Sequence, residues 1–264
     1  MSFEQRFGGI ARLYGEDALT IFAQSHVCVL GIGGVGSWAA EALARSGIGA
    51  ITLLDMDDIC ITNTNRQIHA LQNQIGQQKI EAMAERIALI NPDCRVTLVD
   101  DFISADNQAQ YLLQDFDYVL DAIDSVTAKA ALIAFCKRNK IPVITAGAAG
   151  GLVDPTQIQI RDLTKTIQDP LAAKVRNQLR RHYNFSKNPK RKFGVDCVFS
   201  AEQARYPDGS GGICNSKPSL DGTMKMDCAT GFGAITHITA TFGFFMVSRV
   251  LAKLATKKAV SGQP

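Results

Sequence analysis

The chain has 264 residues, 46% of them hydrophobic, and a formal net charge of +3. This is enough apolar material for a sizeable core, as one large domain or two small ones, and the near-balanced charge carries no message until its placement is known. Its seven cysteines (Cys28, Cys60, Cys94, Cys136, Cys197, Cys214, Cys228) include no C-x-x-C pair, which argues against a disulfide framework or a structural zinc and for a reducing compartment.

The opening MSFEQRFGG has no apolar h-region, so no secretory signal is expected and the cytoplasm is the expected location. Short apolar runs then alternate with helical patterns. Residues 26–31 read as a buried strand, 35–47 as a helix and 50–55 as the next strand. Over 77–90, Ile80, Met83, Ala84, Ile87 and Ile90 fall at helical spacing. Further strands are expected at 94–100, 117–122 and 141–147, with helices at 105–114 and 126–138 between them. This alternation predicts an α/β fold with a doubly wound, mostly parallel, Rossmann-like sheet. After Gly151 the rhythm changes. Residues 156–163 read as a strand, and Asp169-Pro170 as the N-cap and first turn of a helix to about His182. A basic stretch, a Gly/Ser/Pro-rich loop at 206–222 and a long apolar tail helix follow. No repeat or linker divides the chain. One domain over 1–264 is expected, with a nucleotide-binding half (1–150) and a C-terminal α+β extension (151–264) for substrate and interface.

Gly31, Gly33, Gly34 and Gly36 lie between the first strand and its helix. Glycines there allow a tight turn and let backbone N–H groups and the helix N-terminus approach a phosphate. Asp55 ends the second strand, where a carboxylate can accept hydrogen bonds from ribose hydroxyls, and Asp57 follows it. Asn63, Asn65, Arg66 and Gln67 come next, polar groups that a hydride-transfer cofactor does not need. Arg66 offers a planar fork for phosphate oxygens. Lys79 falls in a first helical turn, where the helix dipole disfavours a cation unless an anion is near. Alone, Lys79 is best read as a solvated lysine; beside Arg66, it is better read as a phosphate contact. Asp121 and Asp124 close the fourth strand as a hard oxygen site for Mg2+ bridging phosphates, against a plainer role for Asp124 or Ser125 in capping the next helix. Two cations and a carboxylate pair imply a triphosphate, so ATP and Mg2+ are the expected ligands.

The segments GIGGVGSW, LLDMDDICITNTNRQ, Lys79 and DAIDS, in that order, resemble the ubiquitin-activating-type adenylyltransferases of the ThiF/MoeB family. The resemblance implies that Asp55 holds ribose, Asn63 and Arg66 order the phosphates, Lys79 neutralises the α- and β-phosphates, and Asp124 binds the metal. Arg66, Lys79 and Asp124 would then carry the catalysis. In such enzymes a substrate carboxylate attacks the α-phosphate, giving an acyl-adenylate and pyrophosphate. The opening RFGGIARLYG is similar to the family's N-terminal arm, with Gly9 where a second Arg is expected and Arg6 and Arg12 as candidates. Zinc-bearing members carry paired C-x-x-C motifs that this chain lacks. In the second half, KTIQDPLAAKVRN, GVDCVFS and MDCATGFGAIT resemble a tRNA-modifying branch. That resemblance implies a tRNA carrying threonylcarbamoyladenosine as partner, activation of its threonyl carboxylate beside the anticodon, and loss of water to a cyclic product. It also implies a homodimer and an exchange with a cysteine-desulfurase and sulfur-acceptor system.

Independent of the resemblance, Lys174, Arg176, Arg180, Arg181, Lys187, Lys190, Arg191 and Lys192 run without an intervening acid, with His182, Tyr183 and Phe185 among them. A basic run is usually a solvated face, but eight uncompensated charges in a nearly balanced chain favour a polyanion, with the rings available to stack on bases. Cys28 and Cys136 read as core residues. Cys197, Cys214 and Cys228 lie in polar or Gly-rich surroundings where a reactive thiol can occur. Intramolecular cyclisation needs no acyl-accepting cysteine, so none is assigned. His69 and His237 read as structural. Two other functions fit less well. A carrier-protein adenylating enzyme for sulfur transfer would use the same ATP site but leaves the basic run unexplained. An NAD(P)-linked oxidoreductase has no task for Arg66, Lys79 and Asp124. Residues 228–248 contain no charged side chain and invite a membrane-spanning reading, with membrane association as the alternative location. Their threonines, His237 and small residues instead favour a helix buried against protein.

Overall fold

The computed structural model describes residues 2–208, 210–214 and 233–256. One seven-stranded sheet organises them, comprising β1 (His26–Leu30), β2 (Ala50–Leu54), β3 (Arg95–Val99), β4 (Tyr118–Asp121), β5 (Val143–Ala146), β6 (Ile158–Asp162) and β7 (Asp196–Ser200). Their order is β3-β2-β1-β4-β5-β7-β6. Every pair is parallel except β6 and β7, which run antiparallel from Ile158↔Ser200 to Asp162↔Asp196. The winding reverses between β1 and β4, so their carboxyl ends open the crevice where ligands of such sheets bind.

Eight helices accompany the sheet among the described residues: α1 (Phe3–Tyr14), α2 (Glu16–Gln24), α3 (Gly36–Arg45), α4 (Lys79–Ile90), α5 (Gln108–Leu112), α6 (Val126–Arg138), α7 (Pro170–His182) and α8 (Thr236–Ala255). Helices α2, α3, α4 and α8 pack on one face through Phe22, Leu43, Met83 and Phe242. Helices α5, α6 and α7 cover the other through Leu112, Ile133 and Val175. Covered on both faces, β2 is buried along its whole length, which is why AITLL is continuously apolar rather than alternating. The ends of α6 and α7 coincide with their expected limits because each has a strong start signal. Ser125 accepts the amide of Ala128, and Asp169 accepts that of Ala172 with Pro170 in the first turn.

The C-terminal extension joins the same sheet, since β7 continues it in parallel and β6 closes its edge. The N-terminal stretch is helical, started by a capping box between Ser2 and Gln5. Arg6 there donates to the carbonyl of Ile90, at the far end of α4 from the crevice, so that arginine is remote from this chain's own nucleotide loop. The apolar tail forms α8, with a mean hydropathy of 1.4, long and apolar enough by composition to cross a membrane. It packs instead against α3, α2 and the sheet. Gly243 lets it do so, because a Cβ there would lie 2.8 Å from the carbonyl oxygen of Val35. At its basic end Arg249 pairs with Asp196 at 3.2 Å, and Lys253 is exposed. Residues 228–232 of the tail lie outside the described residues.

Candidate active site

The loop after β1 is shaped by two glycines that nothing larger can replace. Gly31 has φ +84° and its missing Cβ would stand 3.0 Å from the Ala122 carbonyl, while a Cβ on Gly36 would overlap the Gly31 carbonyl at 1.8 Å. This compression brings the β1 loop against the β4 loop. It also leaves the N-terminus of α3 without a side-chain cap, its Val35 N-cap offering no acceptor. Free amides at a helix start favour an anion. Gly33 has open space above it, with only the Gln67 amide nitrogen near, at 3.9 Å.

Asp55 leaves β2 beside this loop. Its carboxylate accepts the Ile32 amide at 2.6 Å and the Asp57 amide at 2.9 Å. Burial raises its pKa, against the opposing pull of Lys79. The end of β2 therefore holds a carboxylate tied to the glycine loop itself. The Lys79 ammonium is buried and lies 2.5 Å from Asp57 and 3.8 Å from Asp55. The cation in the first turn of α4 thus has its anions, and the Asp57 side chain, 66% exposed, sits at the open side.

Arg66 lies beside the glycine loop at Gly34 on an irregular stretch, with one guanidinium nitrogen donating to the Thr62 carbonyl and to Asn65 Oδ1. Its remaining donors meet no protein acceptor among the described residues. Asn65 was expected at the nucleotide. Its amide instead donates to the Ala234 carbonyl and its oxygen receives Arg66, so it ties neighbouring segments together. Asn63 is buried, and its Oδ1 accepts the Cys60 amide. Gln67 is buried beside Gly33 with Oε1 unpartnered.

The carboxylate pair separates into two roles. Asp121 is fully buried and pairs with Lys129 at 2.9 Å, accepts the Thr145 hydroxyl at 2.7 Å and caps Ile123. It is no metal ligand: the expectation of a two-carboxylate site fails because the β4 end turns Asp121 inward. Ser125 takes the helix cap, which leaves Asp124 exposed and without a protein partner among the described residues. Among those residues no three His, Cys, Asp or Glu side chains cluster as a metal site. One free carboxylate near a glycine loop with an uncapped helix start suits Mg2+, which is commonly held by one or two carboxylates plus phosphate oxygens. Uncapped amides, Arg66 and Lys79 likewise suit a polyphosphate.

The basic run resolves into bracing and exposed members. Arg176 bonds the Leu163 carbonyl and the Thr166 hydroxyl, and Arg180 lies over the Phe193 ring at 5.5 Å. Both are half-buried, so neither is a freely exposed member of the run. Lys174, Arg181, Lys187, Lys190, Arg191 and Lys192 are exposed. The end of α6 adds Lys137, Arg138 and Lys140, with Lys137 bonded to the Gly194 carbonyl and Arg138 over Tyr183. Sequence order hid this addition, since the two clusters meet only across the sheet face. Helix α7 starts at the crevice edge, where Asp169 also accepts the Ala148 amide, and runs about 20 Å away from it. The exposed cations beyond its end therefore lie at the opposite edge from the glycine loop.

Of the cysteines weighed for reactivity, Cys197 is buried in β7 with its thiol pKa pushed up, which makes it inert. Cys228 lies outside the described residues. Cys28 and Cys136 are core residues as expected, and burial pushes the Cys136 thiol to about 12. His69 is buried with Nε2 at 2.9 Å from the Ile32 carbonyl, and His237 Nε2 lies 3.0 Å from that of Val153.

Comparison with known proteins supports the fold. The model of the ThiF family matches residues 9–263. The tRNA threonylcarbamoyladenosine dehydratase of Escherichia coli K12 is 63% identical over 261 residues, covering 99% of this chain and 97% of that one. A crystal structure of the E. coli tRNA N6-threonylcarbamoyladenosine dehydratase in complex with ATP superposes with a TM-score of 0.87 at 60% identity, covering 98% of this chain and 97% of its own. A complex of the E. coli enzyme with AMP gives 0.85 at 61% identity, covering 95% and 94%.

Proposed function

The chain belongs to the ThiF family, and on that premise we propose that it uses ATP to remove water from threonylcarbamoyladenosine in tRNA, next to the anticodon. One observation carries the reading. The glycine loop abuts the β4 end at Ala122, Asp55 bonds Ile32 of that loop with Lys79 beside it, and Arg66 packs on Gly34, in a chain similar over nearly its whole length to a dehydratase of that substrate. Asp55 receives the ribose, while the loop amides and α3 receive phosphate. Asp124 would hold Mg2+, which supplies neutralising charge on the phosphates.

The chemistry follows from where the cations stand. The threonyl carboxylate attacks the α-phosphorus and pyrophosphate leaves. Arg66 and Lys79 oppose the negative charge that builds on the phosphate oxygens, as fixed donors that need no reorganisation. The acyl-adenylate then carries an activated carbonyl in the same substituent as its carbamoyl group. Ring closure is intramolecular and expels AMP, which takes the carboxylate oxygen with it. No acyl-accepting cysteine is required. The exposed cations at the far edge serve the RNA backbone away from the reacting nucleotide, a sequence-independent grip suited to phosphates. A homodimer, an exchange with a cysteine-desulfurase system, the absence of a structural zinc and a cytoplasmic location complete the proposal, on family resemblance and the missing C-x-x-C pairs.

Mass spectrometry of tRNA nucleosides from cells with and without the gene tests this. The cyclic nucleoside, lighter by one water, should vanish without the gene while its uncyclised precursor accumulates. Cyclic product at its normal level in the deleted strain would overturn the assignment.

A further inference from the structure

The backbone at Asn65 and Arg66 belongs to no helix or strand, yet it is held from two distant parts of the chain. The Trp38 indole in α3 donates to the Arg66 carbonyl at 3.0 Å. The Thr239 hydroxyl in α8 lies 3.2 Å from the same oxygen, and shares its proton with the carbonyls of Ile235 and Thr236 at 3.3–3.4 Å. One residue earlier, the Thr236 hydroxyl donates to the Asn65 carbonyl at 2.7 Å, and the Asn65 amide returns a bond to Ala234. The Thr239 methyl also packs on the phosphate loop, 3.2 Å from where a Cβ on Gly34 would stand, with Arg66 at 3.4 Å from the same point. Phe244, one turn and a half along α8, meets the Trp38 ring edge-on at 6.0 Å.

We infer that Trp38, Thr236 and Thr239 are positioning residues for Arg66: the start of α8 and the indole of α3 clamp the carbonyls of Asn65 and Arg66, so that the guanidinium faces the phosphates with its orientation already set. This rests on the reading of Arg66 as a phosphate contact. Preorganisation is the physical basis. An arginine on an irregular loop loses rotamer and backbone freedom when it grips an anion, and fixing the loop beforehand removes part of that cost. Two donors on one carbonyl use both of its lone pairs and fix the peptide plane. Asn65, with its oxygen on the Arg66 guanidinium, transmits the same restraint to the side chain. Trp38 is the only tryptophan in the chain, so its emission reports on this contact.

The test combines kinetics in Thr236→Val/Thr239→Val, Thr236→Ser/Thr239→Ser, Trp38→Phe and Arg66→Ala with Trp38 fluorescence in the variants that keep the indole. Loss of one or two such hydrogen bonds should raise KM for ATP about three- to tenfold in the Val pair and in Trp38→Phe, with kcat lowered less. The Ser pair should recover the wild-type KM, and tRNA affinity should be unchanged throughout. ATP should shift Trp38 emission in the wild type and not in Arg66→Ala. A folded Val pair and Trp38→Phe with wild-type KM for ATP, beside an impaired Arg66→Ala, would overturn the clamp and leave Arg66 at the phosphates. Wild-type kinetics in Arg66→Ala would overturn both.

Discussion

Lys79 and Asp57 form a 2.5 Å ion pair at the mouth of the nucleotide crevice, with the lysine buried and the aspartate largely in water. If Lys79 contacts the phosphates as proposed, ATP entering the crevice takes the ammonium from that partner. The Asp57 side chain faces water, which screens its hold on the lysine, so the exchange is cheap. Asp57→Asn should therefore change ATP affinity by less than about fivefold. Lys79→Ala removes a donor that acts on charge developing in the transition state and should cut turnover by about 10²–10³. Single-turnover kinetics at saturating ATP separate the two; comparable losses in both variants would mean that Asp57 itself touches the nucleotide.

Behind the site, Lys129 and Asp121 form a pair that neither water nor ligand reaches. Lys129→Met leaves a buried carboxylate without its charge partner, a change that typically costs about 3–5 kcal/mol. Against a total stability of about 5–15 kcal/mol, this should appear as a large fall in the urea midpoint. A midpoint within error of the wild type would contradict the buried pair.

Acid should loosen the glycine loop through His69. Burial holds its imidazole down at about 4, against an ordinary value of 6.5, with Nε2 on the Ile32 carbonyl. Between these values the unfolded chain binds the extra proton. The stabilisation is complete above pH 6.5 and is lost as pH falls toward 4, by about 1.4 kcal/mol per unit. His69→Gln, which can keep a donor to Ile32, should flatten this limb of the urea-derived stability profile. An equally steep limb in the variant would place the sensitivity elsewhere.

For RNA, the exposed cations and the bracing ones should behave differently. Neutralising Arg181, Lys187, Arg191 and Lys192 together should weaken tRNA binding and reduce its salt slope by about 0.9 for each phosphate that is no longer neutralised. Affinity for ATP should stay as it was. Arg176→Ala should instead lower stability by about 0.5–1.5 kcal/mol, because it removes the guanidinium from the Leu163 carbonyl and the Thr166 hydroxyl, which keep only their bond to each other. Filter binding over a salt series checks the first outcome and urea unfolding the second; an unchanged slope in the quadruple variant would make the segment ordinary surface.

What the sequence disclosed depended on how local each signal was. Gly31–Gly36, Asp55 and the caps at Ser125 and Asp169 act within one loop or turn, and their spacing alone located the crevice and two helices. Asp121 and Asp124 look equivalent in DAIDS. Only the side chains of Lys129 and Thr145 around the β4 end decide that one is structural and the other free. Arg176 and Arg180 read as part of a charge run until Thr166 and Phe193 come beside them. The insertion of β7 between β5 and β6 was also illegible, because GVDCVFS is short and its pairing is entirely non-local. Trp38 and Thr239 carry no motif at all, and their link to Arg66 exists only after α8 has packed on α3.

The central claim is that the threonyl carboxylate is activated as an adenylate. It is tested most directly by giving the enzyme a tRNA whose threonyl carboxylate carries a heavy oxygen isotope. Attack on the α-phosphorus, followed by ring closure, must leave one heavy oxygen in AMP, with unlabelled pyrophosphate as the other product. Label in inorganic phosphate alongside ADP would mean activation at the γ-phosphate, and would contradict the account.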